Sequence, residues 1–125
     1  MTLEFLPLNF SVCQIEDAAQ ADMTAPFTFL SRTDTEISLV CESARVPQNV
    51  LRREDHWRAF RIAGTLDFSL IGILAKIAVL LAEEKISIFA ISTYDTDYVL
   101  VKEEKLIHAI NTLEKAGYAI TFLKN

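Results

Sequence analysis

A chain of 125 residues can hold one compact domain or two small lobes sharing a core, too little for a catalytic domain with a separate regulator. At 51% hydrophobic and 23% charged residues it has enough apolar material to fold, which sets it apart from disordered segments. Its 12 basic and 17 acidic residues leave a net charge of -5, which disfavours phosphate backbones and anionic lipid as partners.

The longest apolar run, Leu70–Ala82, is interrupted by Lys76 and is shorter than the ~20 residues that cross a bilayer. No basic, apolar and small-residue succession marks a signal peptide at the N-terminus, so a soluble, cytoplasmic protein is expected. Cys13 and Cys41 sit in apolar alternating stretches and read as reduced, buried thiols.

In chain order, Leu6, Leu8, Phe10 and Val12 alternate with Pro7, Asn9 and Ser11, which predicts one half-buried strand. Glu16–Pro26 has no period and reads as a loop or one short helix. Phe27–Arg32, a polar turn at Thr33–Thr35, and the alternation of Ile37, Leu39 and Cys41 predict a β-hairpin. Val46–Arg53 predicts about two helical turns with Pro47 near their start. Trp57–Ala63 reads as a strand ended by Gly64.

Leu70–Glu84 carries the strongest helix signal, with Ser69 or Asp67 as its N-cap. Its apolar residues cover most of the circumference, so it should be buried on two sides, one against a sheet and the other against a second lobe or subunit. Ile86–Ser92 and Asp97–Val101 follow as strands. Glu103–Ala116 is an amphipathic helix with Leu106, Ile110 and Leu113 in one stripe, Gly117 is its left-handed end, and Tyr118–Leu123 is a final strand. From Trp57 onward the order βαββαβ specifies an α+β, ferredoxin-like plan, an antiparallel sheet with both helices on one face.

The segment LSRTDTEISLVCE at Leu30–Glu42 aligns without gaps on ISTYDTDYVLVKE at Ile91–Glu103. Ser31, Asp34, Thr35, Leu39, Val40 and Glu42 meet Ser92, Asp95, Thr96, Leu100, Val101 and Glu103. Two readings fit: a duplicated lobe, or two hairpins obeying the same turn chemistry. Duplication extends into the strands and gives two pseudo-repeated lobes, a degenerate one at 1–56 and a complete one at 57–125.

Gly64–Leu106, and more weakly Phe27–Val46, resembles ACT-domain proteins of the tandem kind, related to the regulatory lobes of aspartate kinase and to the CASTOR-type arginine sensor. The residues that carry the resemblance are the glycine-containing helix start, ISIFAIST and DTDYVLV. The resemblance implies a regulatory fold that binds an amino acid or similar small metabolite at an interface between lobes or subunits. It also implies a ligand loop at Ser69, Leu70, Ile71 and Gly72 opposite the strand end Ile91, Ser92 and Thr93.

Apart from any family, the first N–H groups of a helix form an anion site, and Gly72 allows close approach there. The alternative is that Gly72 only permits tight packing of the helix. Asp95, with Thr96 and Asp97, can hold an ammonium group, or Asp95 can shape the turn while Asp97 opens a strand. Asp67 can bind a ligand amine or cap the helix. Glu104 and His108 stand one helical turn apart, a spacing that seats two metal ligands but finds no third. No nucleophile elbow, phosphate loop or CxxC is present, so neither catalysis nor a cofactor is expected. The run from Arg52 to Arg61 has four arginines around Trp57 but includes Glu54 and Asp55, and reads as a surface strand edge or subunit contact. The expected function is a small-molecule-binding regulatory protein acting as a homodimer, with a regulated protein partner in prospect. The alternative is a structural interaction module without a metabolite.

Overall fold

The computed structural model describes residues 1–64 and 72–124. Its strands are β1 (Thr2–Phe5), β2 (Phe10–Ile15), β3 (Phe29–Arg32), β4 (Ile37–Glu42), β5 (Arg52–Ile62), β6 (Ile88–Ser92), β7 (Asp97–Lys102) and β8 (Ala119–Phe122). Its helices are α1 (Ile73–Glu83) and α2 (Leu106–Lys115), with 3-10 turns at Ala18–Gln20, Ser43–Arg45 and Glu103–Lys105. The chain forms two compact units, Leu8–Trp57 and Met1–Pro7 with Arg58–Asn125. The first seven residues thus belong to the C-terminal unit, and β5 gives its first half to one unit and its second half to the other.

In the N-terminal unit the strand order is β3-β4-β2-β5, antiparallel throughout. Cys13, Ile15, Ile37, Leu39 and Cys41 form its cluster on one face. Of the strand expected over Leu6–Val12 only the part from Phe10 is strand; residues 6–9 connect β1 to β2. Pro7 has no N–H to continue a ladder, and the chain leaves β1 before it and resumes as β2 at Phe10. Opposite Ser11 the pairing of β2 with β5 shifts between Phe10–Trp57 and Val12–Glu54, so β5 carries one extra residue. His56 sits there at a positive φ of 70°. Both thiols are reduced and buried, and burial pushes the Cys41 thiol up to about 11.

The two helical turns expected over Val46–Arg53 are absent. Only the 3-10 turn Ser43–Arg45 is helical, and the chain then enters β5, where the Leu51 N–H donates to the Gln14 carbonyl at 2.9 Å. Gln48 and Asn49 bury nothing that would reward a helix, whereas pairing with β2 satisfies the backbone.

The C-terminal unit has the strand order β6-β7-β5-β1-β8. Its core comprises Leu3, Phe5, Phe60, Ile62, Val99 and Val101 from the strands and Ile77, Leu81, Ala109 and Leu113 from the two helices, together with Ile86. This is the ferredoxin-type α+β fold with one addition. β1 lies between β5 and β8, antiparallel to the first (Leu3 opposite Ile62) and parallel to the second (Leu3 opposite Ile120). The sheet is therefore mixed and not wholly antiparallel.

Helix α1 begins later than its apolar run suggested: Gly72, at φ 78°, is its N-cap, so the first turn starts at Ile73. Leu70 and Ile71 lie outside the described residues, as do Ser69 and Asp67, the expected caps. Ile77 and Leu81 are buried, while Val79 remains 56% exposed, so this chain leaves the second side of the helix uncovered at that point. Helix α2 buries Ala109 and Leu113 and ends in Gly117 at φ 101°, the left-handed residue its sequence announces.

The two hairpins match element by element, but not in the register of their sequence identities. Ile37 and Asp97 open the second strands, Ser43 and Glu103 open the 3-10 turns, and Thr33 and Thr93 make the same turn bonds, each pair 60 residues apart. The Thr33 N–H donates to the Glu36 carbonyl and the Thr93 N–H to the Thr96 carbonyl, both at 2.9 Å. The gapless alignment pairs residues 61 apart, one position out of step with the backbone. Hydrogen bonding fixes the equivalence, and the shared Asp-Thr pairs occupy different places in the two turns.

Candidate functional site

The candidate site lies in the C-terminal unit, where β5 ends and the β6–β7 hairpin turns. Gly64 and Gly72 bracket the segment 65–71 with positive φ angles of 82° and 78°. Among the described residues, a Cβ built on Gly72 meets nothing within 4 Å. The left-handed backbone by itself calls for glycine there. Gly72 offers no side chain to cap the helix, so it supplies no partner to the amides of the first turn.

The hairpin turn is held by Thr93 and Thr96. The Thr93 hydroxyl donates to the Thr96 carbonyl at 3.0 Å, and the Thr96 N–H donates back to that hydroxyl at 3.4 Å. Thr93 therefore takes the turn-shaping part that the sequence offered to Asp95. Thr96 is buried, and its hydroxyl donates to the Ile62 carbonyl at 2.9 Å, which pins the turn to the end of β5. We expect Thr96→Val to cost about 1–2 kcal/mol, because it leaves that carbonyl without its donor. Urea unfolding checks this, and an unchanged midpoint would show that the turn is held without it.

Beside this turn a cavity of about 220 Å³ is lined by Glu4, Arg61, Ile62, Gly64, Asp95, Thr96 and Tyr98. Arg61 Nε donates to Glu4 Oε1 at 2.9 Å and Arg61 Nη1 donates to the Tyr98 hydroxyl at 3.2 Å. The Tyr98 contact, then Glu4, holds the guanidinium above its ordinary pKa against the opposing effect of burial. The cavity thus presents a fixed cation and two carboxylates, Glu4 and Asp95.

Of the residues singled out in the sequence, Asp67, Ser69, Leu70 and Ile71 lie outside the described residues. Gly72 stands at the helix start, Ile91 is half-buried on β6, and Ser92, Thr93 and Asp95 are exposed. The Ser92 hydroxyl donates to Asp97 Oδ1 at 2.6 Å across the hairpin, which occupies one oxygen of the suggested ammonium patch. The structure gathers Asp95 and Thr96 with Glu4, Arg61 and Tyr98, and the lining of this cavity does not include Gly72, Ile91, Ser92 or Thr93. Sequence reasoning missed Glu4, Arg61 and Tyr98. The available signal was an arginine set between the buried Phe60 and Ile62 just before a strand-ending glycine. His108 Nε2 lies 2.9 Å from Glu84 Oε1, and among the described residues no group of three His, Cys, Asp or Glu side chains can hold a metal.

Residues 52–115 match the family model described as "ACT domain". The chain belongs to the ACT-domain family. A curated relative, the cytosolic arginine sensor for mTORC1 subunit 1 of Rattus norvegicus, is 33% identical over 97 residues, covering 72% of this ACT-domain chain and 29% of the sensor. The chain therefore spans less than a third of that relative's length. A solved protein of Agobacterium tumefaciens shares 30% identity at a TM-score of 0.87, covering 99% of this chain and 94% of that one. The regulatory subunit of aspartate kinase from Thermus thermophilus aligns at a TM-score of 0.63 and 9% identity over 94% of this chain and 97% of that one, a likeness of fold. ACT-type architecture and the kinship with regulatory proteins thus agree with the resemblance seen in the sequence. Among the described residues no helix is long and apolar enough to cross a membrane.

Proposed function

We propose that this ACT-domain chain is a regulatory module without catalytic activity that binds an amino acid or similar small metabolite. Its site comprises the loop Asp67, Ser69, Leu70, Ile71 and Gly72, the strand end Ile91, Ser92 and Thr93, and Asp95. The carrying observation is that the hairpin turn bearing Asp95 is tied by the Thr96–Ile62 bond to the end of β5, the strand that precedes the proposed loop in the chain. The loop leads into the first-turn amides of α1, which suit a carboxylate. The carboxylate of Asp95, exposed on the hairpin, suits an ammonium group. Similarity to a cytosolic arginine sensor supports an amino acid as the ligand and the cytoplasm as the compartment. We read the working form as a homodimer that meets no nucleic acid or membrane and holds no cofactor.

Ligand acts here only to the extent that it binds one state more tightly than another. A thermal-shift panel of the common amino acids tests the reading. One compound at 100 times its Kd should stabilise the protein by about 2.7 kcal/mol. Gly72→Asn should remove that shift, since asparagine tolerates the left-handed backbone yet places a side chain at the helix start. A flat panel would favour the second reading, an interaction module that binds no metabolite.

A further inference from the structure

Glu4, Arg61 and Tyr98 stand on three neighbouring strands and face the same way. Leu3, Phe5, Phe60, Ile62 and Val99 turn into the core beneath the helices. The residues that alternate with them, Glu4, Arg61 and Tyr98, therefore project from the opposite face of the C-terminal sheet. β1 sets Glu4 directly opposite Arg61 on β5, and β7 borders β5 on its other side. The guanidinium is thereby tied from both flanks, to Glu4 Oε1 at 2.9 Å and to the Tyr98 hydroxyl at 3.2 Å. With 29% and 24% of their side-chain surface exposed, Arg61 and Glu4 are screened less than a surface pair, so a charge brought beside either is felt.

The wall they form in the cavity offers a donor and an acceptor side by side, with no net charge. A carboxylate brought there gains Arg61 but meets Glu4, and an ammonium or guanidinium gains Glu4 but meets Arg61. A primary carboxamide escapes both conflicts, since its oxygen accepts, its NH2 donates from the adjacent position, and the group is neutral. Asp95 lines the same cavity from the hairpin turn that Thr96 fixes to Ile62. One cavity thus joins a carboxylate suited to an amino acid's ammonium group with a wall suited to a side-chain amide. Its volume of about 220 Å³ lies below the ~300–1,000 Å³ of pockets for drug-sized ligands and suits a small molecule.

We infer that this cavity seats the side chain of an amino acid that ends in a carboxamide, glutamine or asparagine, and that Arg61 and Glu4 select it. This rests on the amino-acid reading given above and names the ligand class within it. Asp95 keeps the part it has there, as partner of the ammonium group.

Isothermal titration of the full chain with glutamine, asparagine, glutamate, aspartate, lysine and arginine tests this. An amide is expected to bind on the order of tenfold more tightly than the acid of the same length. Glu4→Gln keeps the size of the side chain and removes its charge, which leaves Arg61 to dominate the wall. Preference should then swing from the amide to the acid. A variant that weakens every ligand alike shows a merely structural Glu4 and overturns the assignment. A wild-type panel without any binding overturns the amino-acid reading and this inference together. Binding led by an amino acid without an amide overturns this inference alone. Should Glu4→Gln lose its far-UV circular dichroism, Tyr98→Phe decides. It removes the tie at Nη1 and should shrink the advantage of the amide over the acid, and an unchanged ratio sinks the proposal.

Discussion

Truncating Phe60 to alanine is expected to cost about 3–5 kcal/mol, the usual loss for a fully buried aromatic ring. Phe60 has no exposed surface and sits opposite Phe5 in the β1–β5 pairing, with ring centroids 4.8 Å apart and planes at 31°. Phe5 in turn meets Phe122 of β8 at 5.8 Å, so the lost ring leaves a gap beside a stack running across three strands. Domains are stable by only about 5–15 kcal/mol, so the variant should lose a large share of its urea midpoint. A change below about 1 kcal/mol would show that this core collapses around the gap.

Replacing Ser11 by alanine should cost about 1–2 kcal/mol near neutral pH. Ser11 is fully buried and donates to Asp55 Oδ1 at 2.5 Å, with the Ser43 hydroxyl at 2.8 Å. The Ser11 bond, then the Arg53 bond, holds the Asp55 carboxyl below its ordinary value of 3.8. A carboxyl depressed in the folded state adds stability above its unfolded pKa and loses it as pH falls through the folded one. The wild type should therefore lose stability below about pH 4, and Ser11→Ala should lose less over the same range, since the largest cause of the depression is gone. Urea unfolding at about pH 7 and about pH 3 measures both slopes, and parallel slopes would refute the role of Ser11.

Much of this fold was legible because it is local. The hairpin around Thr33–Thr35, the strands on either side of Asp95, the stripe on α2 and the role of Gly117 each follow from residues adjacent in the chain. What was not legible depends on partners far away. Alternation shows which face of a strand is buried, but not that Pro7 separates two strands or that β1 slots beside β8. Val46–Arg53 has a tolerable helical composition, yet pairing with β2 outweighs so weak a preference. The repeat was visible through Asp-Thr pairs, which share chemistry while sitting one residue apart in the turns. For the candidate site, the sequence pointed to Asp95 and to the glycine before α1. Glu4 and Arg61 stayed hidden because only the pairing of β1 with β5 places them opposite one another.

The position of β1 also constrains how the molecule is made. A ribosome delivers Thr2–Phe5 before either neighbour of that strand, and the partners of Leu3 follow 59 and 117 residues later, at Ile62 and Ile120. Leu8–Trp57 holds all its own pairings and can condense while synthesis continues, whereas the C-terminal sheet must wait for its last strand to emerge. Such distant closures are slow to find, so Leu3 and Phe5 stay in search of their places until β8 has been made.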